Sequence, residues 1–333
     1  MPHVSLLYAS AEQMCADAVV HVYHAHAAHG LTVLKEISAS LQCTQAMKSE
    51  VHALYALGVD VVACPEGLAD VALLLPHKNK AQTLYDMACA MRGLKEGGRI
   101  ILACPNVYGA KSYQKALAAL AGGVQASSKS KCRVCSAKKG AGLDEMLLQS
   151  WLQQGEMQYM ADLGLYSQVS LFSWNRLDDG TRLLLRYLPK LSGRGMDLCC
   201  GYGALAAHIL HHHDGVTDVS LVDVDGRALQ CAEKNTQDLG VPCHTHWLDA
   251  RVEALPQHLD WVVCNPPFHT GQQQDMDLGQ AIVRQGCQSL KRGGHFWMVA
   301  NRTLAYEHIV RQELAQSETI IEAEGFKIMH GVR

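Results

Sequence analysis

The chain has 333 residues and a mass of 36.4 kDa, which exceeds the usual single domain and predicts two domains. With 48% hydrophobic and 18% charged residues it is typical of a globular protein, and no apolar run approaches the roughly 18–20 residues of a membrane span. The net charge of −3 excludes a generally basic nucleic-acid binder, so any RNA site must be a local basic patch.

The amino-terminal residues lack the basic region and apolar core of a signal peptide, and the 13 cysteines are scattered through helix-like and strand-like patterns. We therefore expect a cytoplasmic protein with reduced, buried thiols. The pair Cys132-x-x-Cys135 has no second pair at zinc spacing, so we expect neither a metal site nor a redox site there.

The first 58 residues show helical spacing, and strands are difficult to place in them. Four histidines occur close together in this region: His21, His24, His26 and His29. Their offsets do not put three imidazoles on one helix face, so a partly exposed helix is favoured over a metal cluster.

From residue 59 the pattern alternates between strands and helices. Buried strands are predicted at 59–64, 70–75 and 99–104, and helices at 79–93 and 109–121. Such alternation predicts a parallel, doubly wound α/β sheet. A basic, Ser-rich segment then begins at Ser127, and it suits either a phosphate-binding element or a solvated loop.

Two distant stretches of the chain resemble each other. Residues 94–106 and 290–302 each contain a helix end, a Gly-Gly turn, a buried strand and an Asn near its end. Each is also preceded by an Asp-led apolar strand and a helix. The simplest explanation is a duplicated domain, and we expect the boundary between 1–155 and 156–333.

The two copies differ where chemistry would take place. The second copy has Asn265-Pro266-Pro267-Phe268 where the first has Leu75-Pro76-His77-Lys78. The first half also lacks a Gly-rich turn. We therefore expect the first copy to be degenerate and catalytically silent, working in substrate recognition or as a folding partner.

In the second half, several predicted strands carry acids at or near their carboxyl ends. A strand over 194–200 leads into Gly201-Tyr202-Gly203, where glycines let a ligand approach the backbone and a helix begins. Asp197 suits the ammonium of an amino acid, and Asp223 can bind both hydroxyls of a ribose. Asp249 follows the next strand and suits an adenine amine.

The strand 260–264 delivers an Asn-Pro-Pro-Phe turn. The Asn265 oxygen and the Pro266 carbonyl can each accept a hydrogen from an NH2 group, and Phe268 can stack on a flat ring. The prolines fix φ and keep the turn stiff. This turn favours N-methyltransferase chemistry over an ordinary Pro-rich loop.

Residues 195–305 resemble the class I S-adenosylmethionine-dependent methyltransferases, and within them the bacterial 16S rRNA guanine-N2 methyltransferases of the RsmC type and their 23S relatives. The motifs that carry the resemblance are Asn265-Pro266-Pro267-Phe268-His269-x-Gly271, Phe172-Ser173, Leu177-Asp178-x-Gly180-Thr181 and Val299-Ala300-Asn301-Arg302. It implies two tandem class I methyltransferase-like (Rossmann-like) domains, of which the second binds the cofactor.

The resemblance also assigns roles to residues of this chain. The catalytic residues would be Asn265, Pro266, Pro267 and Phe268. The S-adenosylmethionine site would contain Asp178, Asp197, Cys199, Gly201, Gly203, Asp223, Val224, Asp249, Ala250 and Asn265. Independently of the resemblance, we expect RNA contacts from these residues: Lys78, Lys80, Lys129, Lys131, Arg133, His269 and Arg302. The family usually has glycine at the position of Cys199, so we expect the turn to be kept with a weakened cofactor affinity.

The expected function is therefore methylation of the N2 amine of a specific guanosine in 16S rRNA, with the assembled small subunit as partner, without a metal or a membrane, and by a monomer. The turn serves other planar amines equally well. Methylation of 23S rRNA guanine, of adenine N6 or of protein glutamine stays open, as does a non-catalytic ribosome assembly factor.

Overall fold

The computed structural model describes residues 1–267 and 273–333, with the backbone alone at 273–277. The chain divides into two compact units, Met1–Glu156 and Met157–Arg333. Each unit contains a mixed sheet flanked by helices, which confirms the predicted α/β fold class. Within the described residues, no helix has the length and apolar character needed to cross a membrane.

The first unit is built on a six-stranded sheet of order β2-β1-β3-β4-β6-β5. Its elements are α1 (Pro2–Cys15), β1 (Val19–Tyr23), α2 (His29–Ile37), β2 (Ser40–Cys43), α3 (Lys48–Ala56), β3 (Ala69–Leu74), α4 (Lys80–Arg92), β4 (Leu94–Pro105), α5 (Ala110–Ala121), β5 (Gln125–Lys129), β6 (Cys132–Lys138) and α6 (Glu145–Gly155). Strands β2, β1, β3 and β4 are parallel, and β6 and β5 continue the sheet antiparallel.

The second unit is built on a seven-stranded sheet of order β11-β10-β9-β12-β13-β15-β14. Its elements are β7 (Gln158–Met160), β8 (Leu165–Ser167), α7 (Asp179–Tyr187), β9 (Ser192–Leu198), α8 (Ala204–His212), β10 (Gly215–Asp223), α9 (Gly226–Thr236), β11 (Cys243–Trp247), β12 (Leu259–Cys264), α10 (Gln273–Gln288), β13 (Leu290–Asn301), α11 (Glu307–Glu313), β14 (Gln316–Ala323) and β15 (Phe326–Val332). Strands β11 to β13 are parallel, and β15 and β14 are antiparallel.

The central parallel strands are buried on both faces, as their continuous apolar sequence requires. In β12, Val262 and Val263 are completely buried and belong to separate hydrophobic clusters on opposite faces of the sheet. Gly195 of β9 lies under the Trp261 ring, where an added Cβ would stand 1.9 Å from a ring carbon. The core therefore fixes β9 against β12, and with them the edge at which both strands end.

The sequence echo corresponds to a structural repeat. Strands β4 and β13 are both 12 residues long, and each pairs with its parallel neighbour through the same register shift near its start. In the first unit, Asp70 accepts hydrogen bonds from the Val19 amide (2.9 Å) and the Lys95 ammonium (2.8 Å).

The second unit repeats this clamp with different residues. Asp260 accepts a hydrogen bond from the Arg194 amide (2.8 Å) and pairs with Lys291. In the first unit the carboxylate joins the start of β3 to β1 and β4, and in the second unit it joins the start of β12 to β9 and β13. The same interaction therefore sets the strand register in both units.

Two predictions for the first unit are wrong. Residues 59–64 form no strand: Val61 makes only an isolated parallel bridge with Cys43, on the side of β2 that corresponds to the place of β11. The first 58 residues contain β1 and β2, and His21 lies buried in β1 rather than on a partly exposed helix. These strands are only five and four residues long, so their period-2 pattern is too short to read.

The Ser-rich basic segment, for which a phosphate-binding element and a solvated loop were both left open, forms a β-hairpin. Strands β5 and β6 pair antiparallel, and Ser130 and Lys131 between them have φ of 52° and 58°. Positive φ at both central residues is the backbone of a tight hairpin turn that follows the twist of the strands.

Candidate active site

The carboxyl ends of β11, β10, β9 and β12 lie on one edge of the second sheet, because these strands are parallel. In open α/β sheets, ligands bind at this edge. The structure brings these predicted residues to it: Asp178, Asp197, Cys199, Gly201, Gly203, Asp223, Val224, Asp249, Ala250, Asn265, Pro266 and Pro267. Phe268 and His269 lie outside the described residues.

The turn after β9 leaves room for a ligand. Gly201 has φ of 54°, and a Cβ added there would have no heavy atom within 4 Å. Gly203 has φ of 82° and immediately precedes α8, while its own Cβ would meet Ala232 at 3.0 Å. Gly201 therefore lines open space, whereas Gly203 permits the close packing of α8 on α9.

Asp197 lies completely buried in β9 beneath this turn. Its Oδ2 accepts a hydrogen bond from the Ala206 amide (3.0 Å), and its Oδ1 has no hydrogen-bond partner among the described residues. Burial raises the pKa of Asp197 to about 7, and the nearby Asp223 carboxylate acts in the same direction. An orphaned carboxylate oxygen of raised pKa is the group that a cationic ligand would stabilise.

Asp223 stands at the end of β10 and holds the turn in place. Its Oδ2 accepts from the Gly201 amide (2.8 Å) and its Oδ1 from the Asp225 amide (2.9 Å). Desolvation raises the pKa of this carboxyl to about 6 despite those two bonds. Each oxygen keeps a second lone pair, so a ribose diol remains a possible partner for Asp223.

Asp249 is buried and its carboxylate is bound by Arg251, through the guanidinium Nε (2.7 Å) and the backbone amide (3.1 Å). An adenine amine would therefore share this carboxylate with an arginine that the sequence analysis did not single out. The carbonyl of Val224 is similarly engaged, by the Trp247 indole N–H at 2.9 Å.

Asn265 is held by two residues from the start of α7. Its side-chain Nδ2 donates to Asp178 Oδ2 (3.0 Å) and to Thr181 Oγ1 (3.0 Å). Asp178 Oδ2 also caps α7 by accepting from the Thr181 amide at 2.8 Å. Both amide hydrogens of Asn265 are thus used inside the protein, which leaves its Oδ1 to accept from a substrate amine.

Thr181 belongs to this site, although sequence reasoning named it only within a family motif and gave it no role in the site. The Asp-x-x-Thr spacing of Asp178 and Thr181 at a helix start carried the signal, since it is typical of an N-cap. The contact with Asn265, 87 residues from Asp178, carries no local signal.

The residues predicted to contact RNA belong to both units of the chain. Lys78 and Lys80 are exposed and flank Asn79, the N-cap of α4; Lys129 and Lys131 are exposed at the β5–β6 turn; Arg302 is exposed after β13. Arg133 is half-buried and its guanidinium donates to Gln114, so it is less available than the lysines.

The corresponding edge of the first sheet lacks the two strand-end carboxylates and the Asn side chain of the second. The strand registers place Val22 at the position of Asp197, Gln45 at that of Asp223 and Leu75 at that of Asn265. His24 takes the place of Cys199, and the two share a left-handed backbone, with φ of 55° and 62°.

His26 takes the place of Gly201 and fills the space that is open in the second unit. Its Nδ1 lies 2.9 Å from Glu50, and its backbone amide donates to the Tyr8 hydroxyl at 3.3 Å. His24 and His26 are therefore the counterpart of the glycine turn. Among the described residues, no group of three His, Cys, Asp or Glu side chains is placed to hold a metal ion.

Comparison with known proteins gives a family and a fold. Residues 162–330 match the family model described as methyltransferase small domain. Relatives named ribosomal RNA small subunit methyltransferase C include those of Hahella chejuensis, 31% identical over 268 residues, 79% of this chain and 77% of the relative, and Shewanella piezotolerans, 29% identical over 266 residues with the same coverage.

Among solved structures, the T. thermophilus 16S rRNA N2 G1207 methyltransferase (RsmC), solved in complex with AdoMet and guanosine, has a TM-score of 0.81. It is 21% identical, and the match covers 100% of this chain and 92% of that chain. The similarity shows that the fold of the whole chain is that of this structure.

The left-handed backbone of Cys199 predicts that replacing this residue by glycine stabilises the protein. A left-handed φ costs a non-Gly residue about 1–2 kcal/mol, which exceeds the roughly 0.5–1 kcal/mol of extra backbone entropy that glycine loses on folding. Cys199→Gly is therefore expected to raise the free energy of unfolding by about 0.5 kcal/mol in denaturant titrations. The control is Cys243→Gly in β11, which should lower it by about 1 kcal/mol; a decrease of that size in Cys199→Gly would contradict the strain.

Proposed function

We propose that this chain, which belongs to the methyltransferase small domain family, methylates the N2 amine of a guanosine in 16S rRNA. Its relatives include the ribosomal RNA small subunit methyltransferase C proteins. The fold-level match acts on position G1207 and was solved with AdoMet and guanosine, which supports that substrate and S-adenosylmethionine as cofactor. The observation in this chain that carries the proposal is the Asn265 amide, held by Asp178 and Thr181 beside the acid-lined turn.

S-adenosylmethionine, when bound, supplies a methyl group made electrophilic by the attached sulfonium. In this chain Asp197 would hold the cationic amino-acid end, Asp223 the ribose hydroxyls, and Gly201 would give the backbone room for both. The residues present fit the cofactor, since the edge combines an orphaned buried carboxylate oxygen with open space at the turn.

Asn265 and Pro266 would act on the substrate amine. The lone pair of an exocyclic guanine amine is delocalised into the ring and is a weak nucleophile. Hydrogen bonds to Asn265 Oδ1 and the Pro266 carbonyl would draw the amine toward tetrahedral geometry and localise that lone pair. Pro267 stiffens the turn, and Phe268 is proposed to stack on the base. Positioning and directed acceptors supply the rate, without a protein nucleophile.

The alternative functions are methylation of a different substrate and a non-catalytic role. Adenine N6 and glutamine amides also present planar amines, but relatives named for ribosomal RNA favour guanine in 16S rRNA. A non-catalytic assembly factor is disfavoured because three acids and the oriented Asn265 are all retained at the edge.

We further propose that the first unit recognises the substrate rather than binding cofactor, because His26 occupies the place of Gly201 and Leu75 that of Asn265. The substrate is proposed to be the assembled small subunit, which would place the protein, as a monomer, in the cytoplasm.

The first experiment measures methyl transfer from labelled S-adenosylmethionine to 30S subunits, 50S subunits and the free rRNAs, followed by nucleoside mass spectrometry. We expect N2-methylguanosine in 16S rRNA from the wild-type protein. Asn265→Ala should lower kcat by about 100-fold or more, since it removes a directed acceptor, while the cofactor Kd changes little. Label in 23S rRNA, in adenine or in protein would reassign the substrate, and full activity of Asn265→Ala would refute the mechanism.

The two contacts of Asn265 predict separable effects. Thr181→Val keeps the side-chain shape and the helix cap but removes one acceptor, so kcat should fall about tenfold with unchanged KM for RNA and unchanged thermal stability. Asp178→Asn keeps an acceptor oxygen and should stay near wild type, whereas Asp178→Ala should lose activity and about 1 kcal/mol of stability through the lost cap. A wild-type kcat in both Thr181→Val and Asp178→Ala would show that Asn265 keeps its orientation without these two contacts.

The raised pKa of Asp197 predicts a pH dependence of cofactor affinity. A cationic ligand binds the ionised carboxylate, so affinity is retained above the pKa of about 7 and lost as pH falls through it. Calorimetry should show the Kd for S-adenosylmethionine rising about tenfold from pH 7.5 to pH 6. Asp197→Asn should bind more weakly with a flatter profile, because only Asp223, with a pKa of about 6, then titrates. An unchanged slope in this variant would exclude Asp197 as the titrating group.

A further inference from the structure

The carboxyl edge of the first sheet carries positive charge where the same edge of the second sheet carries acids. Lys78 takes the position of Phe268, and Lys80 begins α4 two residues later. The carboxylates of Asp197 and Asp223 are replaced by Val22 and Gln45. Glu50, a carboxylate near this edge, is bonded to His26. The charge of the edge has thus been reversed between the two copies.

The chain segment that borders this edge is free of acidic residues. Residues 97–139 contain no Asp or Glu and these eight basic residues: Arg99, Lys111, Lys115, Lys129, Lys131, Arg133, Lys138 and Lys139. The matching segment of the second unit, 293–333, contains four basic and five acidic residues. Because both segments build the same strands and helix, the fold does not require the positive charge of the first.

Two structural contacts bring part of this charge together with exposed apolar groups. The Asn106 amide donates to the Lys131 carbonyl (2.9 Å), which holds the β5–β6 turn against the 3₁₀ turn Asn106–Tyr108. In that 3₁₀ turn, Val107 is 86% and Tyr108 58% exposed. The exposed ring of Tyr108 is therefore two residues away in sequence from the residue that contacts Lys131.

The lysines that follow β3 lie on the same edge. Leu74, the last residue of β3, pairs with Leu102 in β4, and β4 ends three residues later beside the hairpin turn. We call the set Lys78, Lys80, Tyr108, Lys129 and Lys131 the basic edge. All five side chains are exposed.

Strand β5, which leads into the hairpin turn, is exposed to solvent along its whole length. Every residue of β5 is exposed, and four of the five have small or uncharged side chains: Gln125, Ala126, Ser127 and Ser128. The equivalent strand β14 has half-buried positions and three glutamates nearby, so it offers neither feature.

We propose that the basic edge is an RNA-binding surface, with Tyr108 stacking on an unpaired base and Lys129, Lys131, Lys78 and Lys80 binding phosphates on either side. Aromatic stacking with flanking cations is how proteins hold single-stranded and loop RNA. A chain of net charge −3 needs such a local patch to bind a polyanion. This inference rests on the proposed function, because the RNA bound here would be a part of the rRNA substrate other than the methylated nucleotide.

The test compares full-length variants for binding to free 16S rRNA and for methylation of 30S subunits. Tyr108→Ala should weaken RNA binding about tenfold and raise KM without changing kcat or the cofactor Kd, whereas Tyr108→Phe should bind like wild type because its ring still stacks. The double variant Lys129→Ala/Lys131→Ala should also bind weakly, and its plot of log Kd against log salt should be less steep by about 1.4.

The charge-matched control is Arg92→Ala/Lys138→Ala, which removes two exposed cations from the opposite end of the same sheet and should leave RNA binding within about twofold of wild type. Equal losses in both double variants, or no loss in Tyr108→Ala, would overturn the proposal. Loss only on 30S particles, with free rRNA bound normally, would reassign the surface to a ribosomal protein.

These outcomes are separable from failure of the proposed function. If the wild-type protein bound 16S rRNA through the basic edge but transferred no methyl group to it, the surface would stand and the reaction would fall. If it methylated 16S rRNA with variants of the basic edge unaffected, the reaction would stand and the surface would fall.

Discussion

The hydrogen bonds from Asn265 to Asp178 and Thr181 join the last parallel strand of the site to the first helix of its unit. An amide side chain has two nearly isosteric ends, and only the oxygen can accept from a substrate amine. By binding both amide hydrogens, the two α7 residues remove the alternative orientation before any substrate arrives. Preorganised acceptors of this kind need no rearrangement during the reaction, and here the cap of a helix supplies the preorganisation.

The two units show which parts of this fold belong to stability and which to chemistry. The carboxylate clamps of Asp70 and Asp260, the register shifts and the 12-residue strands β4 and β13 are kept in both. The edges are not kept: Gly201 faces open space, while its counterpart His26 is bonded to Glu50 and Tyr8. Strand pairing is set by the clamps and the buried core, so the edge was free to change its charge and ligand without loss of the sheet.

The sequence was sufficient where a local pattern matched a local structure. The continuous apolar runs before Asp223 and Asn265 predicted β10 and β12, and the glycines predicted the turn after β9. The sequence did not predict β1 and β2, which are short and include the polar residues His21 and Gln42. It wrongly predicted a strand at 59–64, where the valines suit a strand but only Val61 pairs. The contacts of Asn265 with α7 were unpredictable because they join residues more than 80 positions apart.

Burial of Asp197 and Asp223 has opposite consequences for the free and the ligand-bound protein. Their pKa values are raised above that of a free Asp because the surrounding protein solvates the ionised carboxylates poorly. A ligand bearing a cation and a diol would replace the missing solvation, and its binding energy would then include relief of that cost. The same burial would disfavour an anionic ligand at the edge of the second sheet. The edge of the first sheet, where Val22 and Gln45 replace these acids, lacks the repulsion of these two carboxylates. The proposed RNA-binding surface is therefore compatible with the first edge and would be disfavoured at the second.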